Sequence, residues 1–273
     1  MEPFGQAIRA RGRASDAALL AAAPAALLAM FALPVAVRRS FALSYAAPTL
    51  LDAYLSTFVH LSAAHLLTNL LVYAVVAPTA YLCYLLADDA DRFRVAVVAF
   101  LTVLPFALSG LNAAVLRPLV GYGFSGVNMA FLGLLPLALA DYARTRFEPN
   151  LAIDHALTLF FAGSLLIAAL VVPLRPPGVV AVALAALGLV LYGRETARAT
   201  SIARLRRASR ETPPGYVELA AVGLLLYGLV PFVTFPPAAG SGMTILNYYT
   251  HFLGFCFGFA VPFVTYRLAD GRG

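Results

Sequence analysis

The chain is 273 residues long, 62% apolar and only 12% charged, with a formal net charge of +6. A soluble domain carries about a quarter charged residues and roughly half apolar ones, so a soluble globular protein does not fit, and residues 1–273 read as a single membrane domain. All 19 basic residues are Arg; in a membrane protein basic loops set orientation, so the charge is read as topological rather than as a surface for nucleic acid.

Apolar blocks near 20 residues match the length that crosses a hydrocarbon core of about 30 Å. In chain order they predict eight spans, at 15–37, 65–87, 95–115, 125–141, 153–173, 177–193, 216–235 and 247–266. The first block lacks a short apolar region followed by a small-residue cleavage site, and is read as retained. Between the first two spans, 38–64 contains Pro48, too broken for a span and too apolar for an ordinary loop; it is expected in or on the membrane interface. Cys83 and Cys256 fall inside spans, where the reading is small buried hydrophobes, with neither a disulfide nor a metal site.

Arg placement orients the bundle. With the N-terminus in the cytoplasm, 15 Arg lie inside and only Arg38, Arg39, Arg117 and Arg175 outside. That is a strong positive-inside bias, and an even span count puts both termini in the cytoplasm. The six arginines of 194–210 read most simply as an orientation signal and a contact with lipid headgroups.

Polar side chains inside a membrane are costly and raise a functional hypothesis. One cluster, His60-Leu-Ser-Ala-Ala-His65-Leu-Leu-Thr-Asn69, opens span 2, with His65 and Asn69 on one helix face. A pair of this kind can also do no more than join helices. A second cluster, Gly121-Tyr-Gly123-Phe-Ser125-Gly126, opens span 4, and Gly126, Ala130 and Gly133 continue as a small-residue stripe. Taken alone, such a Ser most often bonds back to its own backbone. The third cluster lies in span 8, where His251, Gly254 and Gly258 share a face.

Depth joins the three clusters. Spans 2, 4 and 8 run in the same direction. Ser125 lies 16 residues before Asp141, and His251 16 before Arg267; at 1.5 Å per residue both stand roughly 24 Å above the inner edge. Asn69, 19 residues before Asp88, stands roughly 28 Å up. All three fall just below the outer surface. A Ser hydroxyl needs a base to become a nucleophile, and His is the usual one. Ser125 and His251 therefore form a candidate nucleophile and base, while the Ser125 N–H, His65 and Asn69 are candidate donors to an oxyanion. No third acidic residue is placed to orient His251, so packing or a hydroxyl neighbour (Thr250, Tyr248 or Tyr249) is expected to do so.

These residues resemble the rhomboid family of intramembrane serine proteases. The family's His-x-x-x-x-His-x-x-x-Asn pattern is matched at His60, His65 and Asn69. Its Gly-x-Ser-Gly-x-x-x-Ala-x-x-Gly pattern is matched at Gly123, Ser125, Gly126, Ala130 and Gly133, and its His-x-x-Gly-x-x-x-Gly pattern at His251, Gly254 and Gly258. The resemblance implies an all-α polytopic bundle with a rhomboid-like core and a Ser125–His251 dyad. It implies an oxyanion hole from His65, Asn69 and the Ser125 amide, with no metal or organic cofactor. Transmembrane segments of other proteins would be cut near the outer face, with small residues favoured at the cut. Span 7 and the loop 236–246 would be the family's gate and cap. The chain differs at Met129, where the family often packs an aromatic ring on its His, at Thr250, and in having three spans rather than one between the Ser and His helices. Two rival readings are a non-proteolytic rhomboid-like protein that binds membrane clients and a small ion or solute transporter. The latter would more naturally carry intramembrane carboxylates or symmetric halves. Arg-only composition points to a prokaryotic plasma membrane.

Overall fold

The computed structural model describes residues 2–115, 120–171, 175–236 and 248–270. The protein is an all-α polytopic bundle. Seven of its helices are long and apolar enough to cross a membrane, and a bent pair supplies an eighth crossing if counted as one span.

The chain begins with a short helix, α1 (Phe4–Arg11), and the first candidate span, α2 (Ala14–Ala32). The predicted span 15–37 ends early: Leu33 is extended, the backbone favoured for the residue before a proline, and Pro34 precedes a new helix, α3 (Val35–Ser40). The expected interfacial segment folds into small pieces at one end of the bundle. These are α3, a two-residue strand β1 (Leu43–Ser44), α4 (Leu50–Leu55) capped by the Thr49 hydroxyl, and a tight turn at Ser56–Phe58.

Next comes α5 (Ala63–Leu86), whose N-cap Ser62 accepts from the His65 N–H. The predicted span 95–115 is two helices, α6 (Ala90–Thr102) and α7 (Leu104–Val115), bent by 45°. Pro105 explains the break, since it has no N–H for the Leu101 carbonyl; the Tyr54 hydroxyl of α4 bonds that carbonyl at 3.1 Å. Strand β2 (Val120–Gly121) pairs antiparallel with β1, and α8 (Ser125–Arg146) follows. The remaining helices are α9 (Ala156–Val171), α10 (Pro176–Ala199), α11 (Ile202–Glu211), α12 (Tyr216–Thr234) and α13 (Tyr248–Asp270).

Helix α8 is the axis of the bundle. Every residue from Gly126 to Tyr142 is buried, with α5, α12 and α13 packed around it. Against α13 the contact is backbone to backbone. A Cβ on Gly254 would overlap the Gly126 backbone, one on Gly258 the Ala130 backbone, and one on Gly133 the Phe255 carbonyl. Close approach of this kind is the use of small residues in membrane helices, where dispersion rather than hydrophobicity drives association. Of the candidate crossings between α8 and α13, α9 and α10 differ in role. Helix α9 packs on α8 and α12, whereas α10 leans on α9 and the turn Ile153–His155, burying only Ala185 and Gly188.

Charged side chains meet at one end of the bundle. Asp16 accepts from Arg94 at 2.7 and 2.8 Å and from Tyr81 at 2.8 Å. Arg92 bonds Asp141 at 2.7 Å, and Arg146 bonds the Leu86 carbonyl at the end of α5. Arg11 reaches Asp88 and Tyr266 reaches the Arg92 carbonyl, so both ends of the chain lie on this same face. Ser125 and His251 lie at the opposite end.

Candidate active site

The loop leading to Ser125 is held from three sides. Phe124 is fully buried against the rings of Phe58 and Tyr73. The Gly123 N–H donates to the Ser56 carbonyl at 2.9 Å. Gly123 itself has φ +112, a backbone that L side chains rarely adopt, and a Cβ there would stand 2.7 Å from the His65 ring. Glycine is thus required at 123 both by conformation and by space. As the first residue of α8, Ser125 has an N–H without an intrahelical acceptor.

His251 enters from the first turn of α13 and is buried. The Gly126–Gly254 contact brings the two helices together next to it, and Nε2 of His251 lies 2.7 Å from Oγ of Ser125. Its other nitrogen, Nδ1, lies 2.9 Å from the carbonyl of Thr234 at the end of α12. A carbonyl can only accept, so Nδ1 carries the proton and Nε2 presents its lone pair to the Ser125 hydroxyl. This is the tautomer that a general base needs.

The orienting group differs from the one expected. The Thr250 hydroxyl donates to Asn112 at 2.8 Å, and that of Tyr248 to the Pro236 carbonyl. Neither turns to His251. Packing does contribute, from Phe235, which stands edge-on to the imidazole with centroids 5.5 Å apart. An aromatic ring therefore reaches the histidine from α12 rather than from position 129, where Met129 is fully buried.

The candidate oxyanion donors come from α5. The His65 ring lies under Gly123, with Tyr122 edge-on at 6.0 Å and His60 at 4.6 Å. Asn69 is buried one turn below; one N–H of its amide donates to the His65 carbonyl at 3.0 Å. Its Oδ1 and its backbone carbonyl both accept from Nδ2 of Asn128, each at 3.0 Å. His60 has no exposed surface. Its Nδ1 meets the Phe58 carbonyl, its own carbonyl receives Arg38, and its Nε2 has no partner among the described residues. Burial first, then the neighbouring His65, pushes the His60 imidazole down to about 4.

The structure thus brings together Ser125, His251, His65, Asn69, Gly123, Gly126, Gly254 and Gly258 at one end of three adjacent helices, with His60 packed behind His65. Sequence reasoning passed over Thr234, Phe235 and Asn128. Asn128 had a signal, as an amide three residues after Ser125 in an otherwise apolar helix. The Thr234 carbonyl had none. Among the described residues, no group of three or more His, Cys, Asp or Glu could hold a metal ion. Cys83 is buried and Cys256 half-buried, both as free thiols. The expected cap, loop 236–246, lies outside the described residues apart from Pro236.

Comparison with protein-family models, curated proteins and solved structures gave no match.

Proposed function

We propose that this chain is an intramembrane serine endopeptidase of the rhomboid type, cutting transmembrane segments of other membrane proteins near the membrane face at which Ser125 lies. The observation that carries the reading is the 2.7 Å contact between Ser125 Oγ and His251 Nε2, with the imidazole held in the base tautomer by the Thr234 carbonyl.

In the proposed reaction, His251 Nε2 takes the Ser125 proton as Oγ adds to the scissile carbonyl carbon. The negative oxygen that forms is met by the Ser125 N–H, the His65 ring and the second N–H of Asn69. Donors aimed at this charge are each worth about 3 kcal/mol in a site that excludes water. His251 then gives its proton to the departing amine, leaving an acyl ester on Ser125. Water, deprotonated by the same nitrogen, releases the acid. Asn128 would fix the side-chain plane of Asn69, because its amide bonds both oxygens of that residue.

Under this reading the Arg-rich face with both chain ends is cytoplasmic, the cut falls on the outer side, and α12 borders the route by which a substrate helix enters. The compartment proposed is a prokaryotic plasma membrane. The decisive experiment uses purified protein in proteoliposomes, a fluorescent fluorophosphonate and a tagged transmembrane substrate. Labelling and cleavage are expected in the wild type and are absent in Ser125→Ala and His251→Ala. A folded wild type that neither labels nor cleaves removes the protease reading in favour of client binding.

A further inference from the structure

Helix α11 connects two candidate spans, α10 ending at Ala199 and α12 starting at Tyr216. Its ten residues give about 15 Å of helix, so it stays at the membrane face where those spans end. The same face carries the ion pairs of Arg92 and Arg94, opposite Ser125. One side of α11 is latched to the bundle. The fully buried carboxylate of Glu148, just beyond α8, accepts from the Ser201 N–H at 2.9 Å and from the Arg204 guanidinium. The Ser201 N–H, with Arg204 in support, holds that carboxyl below its usual range. Ala208, one turn after Arg204, is half-buried on the same side.

The other side points away from the protein. Ile202, Arg206 and Arg210 are spaced by four, so they form one stripe along the helix; all three are exposed, Ile202 at 68%, as is Arg207 beside them, while Ser201, Leu205 and Ala208 turn inward. The guanidinium groups of Arg206 and Arg210 have no acidic partner among the described residues. An apolar residue next to two arginines about one turn apart matches a boundary where acyl chain meets phosphate. A signal for orientation alone needs neither a fixed helix nor a sorted face.

We infer that α11 is a docking helix for anionic phospholipid headgroups, with Ile202 seated at the acyl boundary and Arg206 and Arg210 on lipid phosphates, while Glu148 fixes which side faces the membrane. The inference does not depend on the protease reading. The chain contains no Trp, so Ile202→Trp gives a single indole reporter at an open position. In proteoliposomes, brominated phosphatidylglycerol is expected to quench this indole more strongly than brominated phosphatidylcholine. Arg206→Gln or Arg210→Gln added to the reporter lowers that preference by about fivefold each, and 1 M salt lowers it further. Arg9→Gln removes the same charge from the same membrane face, at an exposed position of α1 away from α11 and its latch, and leaves the preference within about twofold of the parent, less than half the expected fivefold loss at a headgroup arginine. Equal quenching by the two lipids overturns the inference. Quenching by neither, as expected if the stripe faces water or an acidic protein, overturns it as well. An equal loss with Arg9→Gln reduces the effect to net charge and overturns the assigned face.

Discussion

The two ends of the α5–α8–α13 bundle are built from opposite chemistries. At the end bearing the chain termini, carboxylates and guanidiniums are matched directly: Asp16 with Arg94, Asp141 with Arg92, Asp88 with Arg11. At the other end the side chains that meet, Ser125, His251, His65, Asn69 and Asn128, include no carboxylate or guanidinium, and Oδ1 of Asn128 has no partner among the described residues. Removing one partner of a buried charge pair costs about 3–5 kcal/mol; leaving a neutral polar group unpaired costs about 1–3. The comparison teaches a division by chemistry: charge pairs tie the helices together at one end, and uncharged polar groups meet at the other, while buried atoms without a partner among the described residues occur at both, as at Oδ1 of Asn128 and Oδ1 of Asp154.

The sharpest way to break this division is at the dyad. Ser125→Ala and His251→Ala are expected to lower peptide cleavage by about 10⁶-fold, with thermal unfolding in detergent moved by about a degree or two for Ser125→Ala and by no more than several degrees for His251→Ala, which leaves the Thr234 carbonyl without its donor. A large loss of stability in either variant would make the pair a structural link. Next in size is Gly254→Val, whose side chain must push Gly126 away. Since a displacement of about 1 Å can cost 10²-fold in rate, cleavage should fall by roughly that factor and fluorophosphonate labelling should slow in parallel.

The anchoring end is tested by Arg94→Met, which leaves Asp16 buried without its main partner. Stability should fall by about 3 kcal/mol, read from the thermal midpoint, while cleavage per folded molecule stays within about twofold, a change of roughly 0.4 kcal/mol. Loss of rate without loss of stability would reverse the assignment of the two ends. A smaller effect is expected for Phe235→Ala. The ring's contact with His251 is worth about 1 kcal/mol, so the rate constant for cleavage drops about fivefold with little change in KM.

The smallest effect is in pH. His60 is neutral in the fold, with its imidazole pushed down to about 4 by burial, while the unfolded chain protonates near 6.5. The unfolded state therefore binds more protons as pH falls through this window. The stabilisation is complete above about 6.5 and is lost progressively toward 4, by about 1 kcal/mol between pH 7 and 5.5. Thermal midpoints across that range should decline in the wild type and decline less steeply in His60→Phe, in which His65 and His251 remain.

Much of this molecule is readable from its residues for a simple reason. Long apolar blocks match the length of a membrane span, so the all-α bundle follows from composition. Ser125 and His251 can be paired because Gly126, Gly254 and Gly258 announce a close helix crossing. The break at Val103 is less legible, since apolar residues continue through it and Pro105 could equally have produced a mild kink. The end of the first span at Pro34 is hidden by apolar Val35 and Val37 beyond it. Asn128 was legible in principle, as a polar residue at the depth of the site. The contribution of α12 was not, because it depends on where that helix stops relative to α13, a relation between backbones that no side chain records.

That last contact has an evolutionary consequence. The acceptor that orients His251 belongs to the peptide unit at position 234, so it is present whatever residue stands there. Replacing side chains one by one would report the dyad and the Phe235 ring, and miss the carbonyl. Sequence drift at 234 leaves this acceptor in place so long as α12 ends in the same place. The group can be removed only by altering the main chain itself, for instance with an ester in place of the amide that follows Thr234, which weakens the carbonyl as an acceptor without touching any side chain.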